Sequence, residues 1–494
     1  MIYLIIFTPI VTALLILLGA PARKTALIGS LLVLALTLVA FAFFDSSSKH
    51  AFQFDSSYLI VPEWKLGFTV GLDGLSLVMV LLSAIVTVAA VWFTGEIESH
   101  EGAFYACLLF ISGGAIGAFS SLDLFFFYAF HELALIPTFL LIGIWGSGNR
   151  SAAAWKITIY LSIGSFILLL GLILLYQSIP IGSRTFDMRE LKTAAASIPP
   201  DAQRNIYLLL LIGFGVLVSL FPFHTWAPEA YASAPAPAAM LHAGVLKKFG
   251  LYGLLRLAIP LVPAGVHYWM SLLVVLLLGN IIYVGLVTIA QKKLDWMLGY
   301  SSVMHMGYIF LGFAAGNVLG LTGAAVLMFA HGVSIALLFA ISGEVRKRTG
   351  TLAFEDLGGL GKAMPFAGLI FGFGAFVAIG LPGLANFAAE VMIFFGAFSV
   401  AWEMNRFHMF QVATVLGLWG VVISAVYMLR AYRNVFMGTV ADRCKGVSDL
   451  GLSLRLPIIL LIATTLCVGF FPQSLVQRIA PTFRGYFTAA GTPR

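Results

Sequence analysis

Charged residues are scarce in this sequence. Asp, Glu, Lys and Arg make up 10% of the 494 residues, against about 25% in an average soluble domain. A chain with so few charges cannot cover a globular surface that faces water on every side. Its hydrophobic residues, 61% of the total, fall in successive runs of about 18–25 residues, the length a helix needs to cross a bilayer. The sequence therefore indicates an integral membrane protein.

Closely spaced cysteines are also missing. Cys107, Cys444 and Cys467 are far apart and form no CxxC pair, so neither an iron–sulfur site nor a zinc site is indicated. The net charge of +7 does not point to nucleic-acid binding, because the basic residues lie in short loops between apolar runs. No stretch suggests a soluble domain. The longest polar stretches, residues 45–70 and 178–205, are expected to be loops.

The apolar runs predict an all-α membrane protein with about fourteen transmembrane helices, since they are too long and too uniformly apolar for barrel strands. The first run lacks the preceding positive charges of a signal peptide and is interpreted as the first span. The expected spans are residues 2–20, 25–44, 72–95, 102–120, 122–146, 152–177, 206–239, 240–258, 266–290, 296–315, 318–343, 365–402, 410–436 and 455–472.

Two of these spans are interrupted by proline and glycine. One contains LFPFHTWAPEAYASAPAPAAMLHAG and the other VAIGLPGLANFAAEVMIFFG. Proline removes a helix hydrogen bond, and in a bilayer the freed carbonyls need another partner or a water-lined cavity. Interrupted spans in both halves of a chain are typical of transporters with two inverted repeats and an ion path at the breaks. We expect helices 1–3 in residues 1–101, one five-helix repeat in 102–258, a second in 259–436, and a loop, a last helix and a tail in 437–494.

Several titratable side chains lie inside the spans, where a charge costs about 2.5–3.5 kcal/mol at the helix centre. Carboxylate, amine and imidazole groups can each exchange protons near neutral pH in a suitable environment. The pattern predicts a proton relay near the membrane midplane, and the alternative is a set of buried pairs that fix helix packing. The candidate relay residues are Glu132, Lys248, His224, His305, His331, Glu390, Lys247 and His131.

The sequence resembles the antiporter-like subunits of respiratory complex I, the proton-translocating NADH:quinone oxidoreductase, and among them the M-chain (chain 4) family. The resemblance covers about residues 1–475. It rests on FPFHTWAPEAYASAPAPAAMLHAGVLKKFGLYGLLR, SSVMHMGYIFLGFA, AHGVSIALLFAISGEVRKRTGT and LPGLANFAAEVMIFFGAF, supported by VGLDGLSLVMVLL and DLFFFYAFHELALIPTFLLIGIWG. It implies fourteen helices with two inverted five-helix repeats and one proton channel driven by quinone reduction in other subunits.

The resemblance also implies roles for individual residues. The family's fifth-helix glutamate falls on Glu132, its eighth-helix lysine on Lys248, and the glutamate of its broken twelfth helix on Glu390. Its central histidines correspond to His224, His305 and His331. No cofactor is expected in this chain, because NADH, FMN, iron–sulfur clusters and quinone belong to other subunits of such a complex. The expected partners are other membrane-arm subunits, including two further antiporter-like subunits on either side, and the lipid bilayer.

One position departs from the family. A lysine is usual on the broken seventh helix, where this sequence has Leu217. In the family that lysine pairs with the glutamate matching Glu132, so this glutamate loses its expected cation. His131, where tryptophan is usual, or Lys247 could replace it. Alternatively, this channel is weakly coupled, or the chain spaces the membrane arm without pumping.

Two other functions share the superfamily block: a subunit of a multisubunit Na⁺/H⁺ antiporter, and the membrane arm of an energy-converting hydrogenase. Lys and Arg are more frequent in the short loops on the side opposite the termini. The positive-inside rule then predicts a multi-pass protein of a bacterial inner membrane with both termini facing the periplasm.

Overall fold

The computed structural model describes residues 1–48, 50–400 and 407–488. Within them, ten helices are long and apolar enough to cross a membrane, and three shorter apolar helices accompany them. This confirms the predicted fold class, an all-α membrane protein in which helices are interrupted. The exact number of spans and the repeat symmetry stay predictions.

The helices of the first half follow the apolar runs closely. Each run forms a helix because, without water, the backbone groups of a segment must bond one another. The helices are α1 (Ile2–Leu17), α2 (Ala22–Phe43), α3 (Gly74–Phe93), α4 (Glu101–Ser120), α5 (Leu124–Trp145), α6 (Arg150–Gln177), α7 (Met188–Ala195), α8 (Pro200–Val218), α9 (Trp226–Ser233), α10 (Ala236–Leu241) and α11 (Lys248–Gly253).

The second half continues in the same way. Its helices are α12 (Ile259–Leu261), α13 (Pro263–Leu278), α14 (Gly285–Ala290), α15 (Leu294–Ala315), α16 (Val318–Thr349), α17 (Leu360–Ala363), α18 (Pro365–Ile379), α19 (Ala385–Phe398), α20 (Phe407–Phe436), α21 (Leu452–Phe470) and α22 (Gln473–Thr488). The most apolar stretches of helices α3 and α16 are fully buried, so these two helices form the centre of the bundle.

Both predicted interruptions are present. Helix α8 ends at Val218, Ser219 has a left-handed backbone with φ of 67°, and α9 begins at Trp226. Helix α18 ends at Ile379, and Gly380 has φ of 80° before α19 begins. We call residues 219–225 the first break and residues 380–384 the second break.

Parts of the two expected loops are regular structure. Strand β1 (Gln53–Val61) pairs antiparallel with β2 (Leu66–Leu72), with Tyr58 opposite Phe68. These strands are rich in aromatic and β-branched residues, which favour sheets, but they are too short to stand out as spans. The stretch 178–205 contains α7, and the C-terminal tail contains α22. The prediction of loops was therefore wrong for β1, β2 and α7, and α22 lies in the segment expected only as a tail. These segments are short or amphipathic and are missed by a search for long apolar runs.

Candidate functional site

Lys247 and Lys248 lie at the centre of an irregular helix. Two π-helical segments, His242–Leu246 and Leu254–Ala258, lie on either side of α11. Single π turns are rare inside helices overall. Those that occur are often found at functional sites, because the extra residue changes the direction of the side chains that follow. Both lysine side chains are fully buried, with exposures of 1% and 0%.

The two lysines contact different groups. Lys247 Nζ donates a hydrogen bond to Ser302 Oγ at 3.4 Å and lies 5.5 Å from the ring centroid of Tyr231. Lys248 Nζ donates to the carbonyl oxygen of Ala243 at 2.5 Å. Adjacent residues point about 100° apart on a helix, so one partner could not serve both side chains.

A row of polar groups leads from Lys247 towards the second half of the chain. Ser302 Oγ, on α15, lies 3.3 Å from Nε2 of His331 on α16. The His331 ring stacks on that of His305, with centroids 5.0 Å apart. Lys247, Ser302, His331 and His305 therefore form a continuous series across three neighbouring segments. We call these four residues the central row.

His305 ends the central row at the second break. Its Nδ1 lies 2.8 Å from the carbonyl oxygen of Ser301, and its Nε2 lies 2.9 Å from that of Ala378, in the last turn of α18. A neutral imidazole has one N–H and can donate to only one of these carbonyls, whereas a doubly protonated ring donates to both. The surroundings of His305 therefore offer hydrogen bonds to an additional proton.

Glu390 lies at the same break, on α19. It is 3% exposed, and its Oε1 accepts no hydrogen bond from the described residues. A methyl group at Gly380 would collide with this carboxylate. Both side-chain polar atoms of Asn386 are buried and equally unpaired within the described part of the chain. Buried polar atoms without partners are costly, so a proton or water at this position would be strongly favoured.

Glu132 has a different environment. It is half-buried on α5 and accepts a hydrogen bond from Ser165 Oγ, which lies 3.1 Å from the hydroxyl of Tyr128. Leu217 is buried in the last turn of α8. Among the described residues, the ion pairs include none to Glu132. Lys247, expected as a possible replacement for the missing lysine, contacts Ser302 instead.

The remaining histidines lie apart from the central row. The ring of His131 stacks on Phe249 with centroids 4.0 Å apart, and neither nitrogen bonds a described group. Because the ring is held against Phe249, His131 does not supply Glu132 with a cation by direct contact. His224 lies in the first break, stacked on Phe221 with centroids 5.7 Å apart.

Sequence reasoning missed Asn280, which closes the first break. Its Oδ1 accepts from the Phe221 amide at 2.6 Å, and its Nδ2 donates to the carbonyls of Ser219 at 3.2 Å and Val303 at 2.8 Å. The side chain thus bonds two backbone groups of the interruption, on Ser219 and Phe221, and ties them to a carbonyl within α15. A lone amide in an apolar run, here within the π-helical segment Gly279–Val284, was the available signal.

A buried ion pair was also missed. Arg256 donates to both carboxylate oxygens of Asp73, each at 2.7 Å, and to Ser76 Oγ at 2.9 Å. Asp73 in turn caps α3 by accepting from the Ser76 amide. This pair joins the π-helical segment after α11 to the central helix α3. Its bidentate geometry is typical of a strong, positioning contact.

Acidic residues near helix ends are paired or act as caps. Asp123 accepts from the amides of Phe125 and Phe126 at the start of α5, and burial raises the pKa of Asp123 to about 6. Glu229 forms an ion pair with Lys156 at 2.7 Å. In the described part of the chain, no three His, Cys, Asp or Glu residues converge to hold a metal ion.

Comparison with known proteins shows which family the chain resembles. The family model described as NADH:quinone oxidoreductase/Mrp antiporter, TM matches residues 121–417. That range contains all eight candidate relay residues.

Two curated proteins and one solved structure are similar over most of their length. NADH-quinone oxidoreductase subunit M from Rickettsia typhi is 32% identical over 485 residues, which cover 96% of this chain and 95% of the relative. F(420)H(2) dehydrogenase subunit M from Methanosarcina mazei is 35% identical over 429 residues, covering 86% and 84%. A chain in the structure of respiratory complex I from Thermus thermophilus with bound NADH matches with a TM-score of 0.90, 27% identity and full coverage of both chains.

Proposed function

Because the chain belongs to the NADH:quinone oxidoreductase/Mrp antiporter transmembrane family, we propose that it is the M-type membrane subunit of a complex I-like oxidoreductase and that it moves protons through the central row and Glu390. Subunits similar to it belong to NADH-quinone oxidoreductase. In this proposal, the chain carries no electrons itself, and quinone reduction in other subunits drives the proton movement.

The observation that supports the proposal is the continuity of titratable and hydroxyl groups from Lys247 to His305. Neighbouring groups in the row lie 3.3–3.4 Å apart where a hydroxyl is involved, and the two imidazoles stack at 5.0 Å. Each member can take up a proton and release it to the next. The contact with the Ala378 carbonyl places His305 beside the last turn of α18, and the carboxylate of Glu390 lies at Gly380, directly after that helix.

Lys248 supports this route electrostatically rather than by direct contact. It is fully buried, and its Nζ donates to the Ala243 carbonyl instead of to a member of the central row. A change in the charge of one buried group alters how readily the groups that interact with it hold a proton. Lys247 lies in the row itself, so the adjacent lysines have separate tasks: Lys247 transfers a proton and Lys248 adjusts the field around the histidines.

The first half contributes differently. Glu132 accepts a hydrogen bond from Ser165, and none of the ion pairs of the described residues includes it. Leu217 occupies the position on α8 where the family usually has a lysine. We therefore assign Glu132 a role at the boundary with a neighbouring subunit, since the exposed side chain of Ile136 lies one turn further along α5. His131 and His224 take part only if water connects them to the lysines.

The complex is proposed to lie in a bacterial inner membrane, with both termini towards the periplasm and antiporter-like subunits on both sides. NADH, FMN, iron–sulfur clusters and quinone are assigned to partner subunits. The two inverted repeats, residues 102–258 and 259–436, are proposed to provide one broken helix each.

The test is Glu390→Gln in the assembled complex. We expect normal assembly, and a decrease in coupled quinone reductase activity and proton translocation to below about half, because an amide cannot replace a group that transfers protons. Glu355→Gln, on an exposed loop, is the matched control and should leave both activities unchanged. Normal proton translocation with Glu390→Gln would overturn the proposed route.

A further inference from the structure

A cavity of about 180 Å³ opens at the surface where α15 begins and α16 ends. Its lining includes Tyr231, Ser233, Ser342, Asp295 and Arg346. This end of the bundle carries the basic residues of the last turn of α16, so the positive-inside rule predicts that it faces the cytoplasm.

The mouth of the cavity is held by one side chain. Arg346 pairs with Asp295 of α15, donates to Ser147 Oγ at 2.6 Å, and donates to the Ala232 carbonyl of α9 at 2.9 Å. A single guanidinium thus ties the end of α16 to the start of α15, the loop after α5, and α9. The side chain of Arg346 is 27% exposed and that of Asp295 is 11% exposed, so the pair lies between the cavity and solvent.

The inner end of the cavity reaches the relay through Tyr231. The ring of Tyr231 lies under Lys247, with Nζ 5.5 Å from the ring centroid. Its hydroxyl lies 3.2 Å from Nδ1 of His242, whose Nε2 bonds no described group. One residue therefore lines the recess and contacts the first member of the central row.

We propose that this cavity is the entrance through which hydrated protons reach Lys247, and that the Asp295–Arg346 ion pair is its gate. When the pair is closed, the guanidinium covers the recess; when it opens, water connects the surface to Tyr231 and Lys247. The inference rests on the proposed function for the identity of the transported ion. Whether the ion pair controls access of water to the cavity can be tested without measuring proton transport.

Access is measured with Ser342→Cys. Ser342 lines the cavity, and its hydroxyl bonds only the Phe339 carbonyl of its own helix among the described residues, so a thiol fits there. The assembled complex is treated with a membrane-impermeant cationic methanethiosulfonate, and the modified peptide is quantified by mass, so that the native cysteines do not interfere. We expect Asp295→Asn to speed labelling at Cys-substituted 342 by about fivefold or more, because labelling follows access to the thiol.

The matched control is Asp442→Asn, which breaks the exposed ion pair to Lys445 and should leave the labelling rate unchanged. An equal rate with and without Asp295→Asn would overturn the gate.

Blocking is measured on the same variant after assembly, so that folding is not at issue. Modification of Ser342→Cys should lower proton translocation by about half or more, because a bulky cation then occupies the path, and a reductant should restore it. Lys362→Cys, on the exposed surface, should be labelled without effect.

Unchanged proton translocation after full modification at position 342 would overturn the entrance, provided that Glu390→Gln lowers translocation to below about half in the same preparation. If Glu390→Gln has no effect, the proposed relay fails instead, and the labelling rates with Asp295→Asn still decide whether the ion pair is a gate.

Discussion

At the first break, the amide of Asn280 bonds the backbone of Ser219 and Phe221. At the second break, the carboxylate of Glu390 faces Gly380, and Asn386 has no partner among the described residues. Both breaks interrupt a helix at a residue with positive φ. Each break holds a buried polar atom that bonds no described group, Nδ1 of His224 at the first and Oε1 of Glu390 at the second. The first break differs in that the side-chain amide of Asn280 bonds its backbone.

The difference shows that an interrupted helix does not by itself form an ion path. A break whose backbone groups are satisfied by protein is rigid, because opening it would leave those groups unpaired. A break with unpaired polar atoms favours water or an extra proton. In this chain, Asn280 ties the backbone of the first break, whereas the second break has the buried carboxylate of Glu390 beside its backbone. This difference is why the proposed exchange site is the second break.

Asn280→Ala should have the largest effect on stability. Two backbone groups of the first break, the Phe221 amide and the Ser219 carbonyl, lose their partner at a cost of about 1–3 kcal/mol each, so we expect a loss of about 2–6 kcal/mol and little assembled complex. Thermal denaturation of the complex and its amount in the membrane are the measurements. Asn386→Ala, the same substitution at the second break, should change stability by less than about 1 kcal/mol. Equal losses would mean that the breaks do not differ in this way.

Gly380→Ala should destabilise the chain by about 2 kcal/mol, because an L-residue resists the left-handed backbone and the added methyl group meets the Glu390 carboxylate. Ser219→Gly, at the left-handed position of the first break, should cause no loss of stability. The measurement is the denaturation midpoint of each variant, Gly380→Ala and Ser219→Gly, compared with that of the unchanged protein. A tolerated Gly380→Ala would show that the second break is less constrained than its contacts indicate.

Glu132→Gln should lower coupled activity less than Glu390→Gln does. Glu132 is half-buried and held by a neutral hydroxyl, and it lies outside the central row, so we expect a decrease of about twofold at most. Proton translocation per quinone reduced is the measurement. A loss with Glu132→Gln that equals the loss with Glu390→Gln would place both halves in one path.

Leu217→Lys should have the smallest effect on proton translocation. It tests the comparison by adding a titratable group next to the first break instead of removing one. It restores at the first break the cation that the family pairs with the fifth-helix glutamate. We expect assembly to persist, because a long side chain can direct its ammonium towards Glu132, and the proton stoichiometry to rise slightly. An unchanged stoichiometry would show that the first half lacks more than this lysine.

Much of the fold was predictable because bilayer thickness fixes helix length and proline marks the interruptions. The hairpin β1–β2 and the helices α7 and α22 were not predicted, because amphipathic or short segments carry no signal in a search for long apolar runs. The set of candidate residues came from their rarity in apolar surroundings. Which of these residues contact one another could not be predicted from the sequence. Lys247 and Lys248 are adjacent in the chain, yet they bond different partners.

The sequence by itself determined that the chain spans a membrane, where its helices are broken, and which titratable residues lie inside the apolar spans, because each of these depends on local composition. Only the tertiary structure decided which groups meet. The π-helical turns direct Lys247 to Ser302, Asn280 closes the first break from a distant segment, and Arg256 finds Asp73 across the bundle. These contacts join residues far apart in the chain, and their geometry depends on how helices pack rather than on any local pattern.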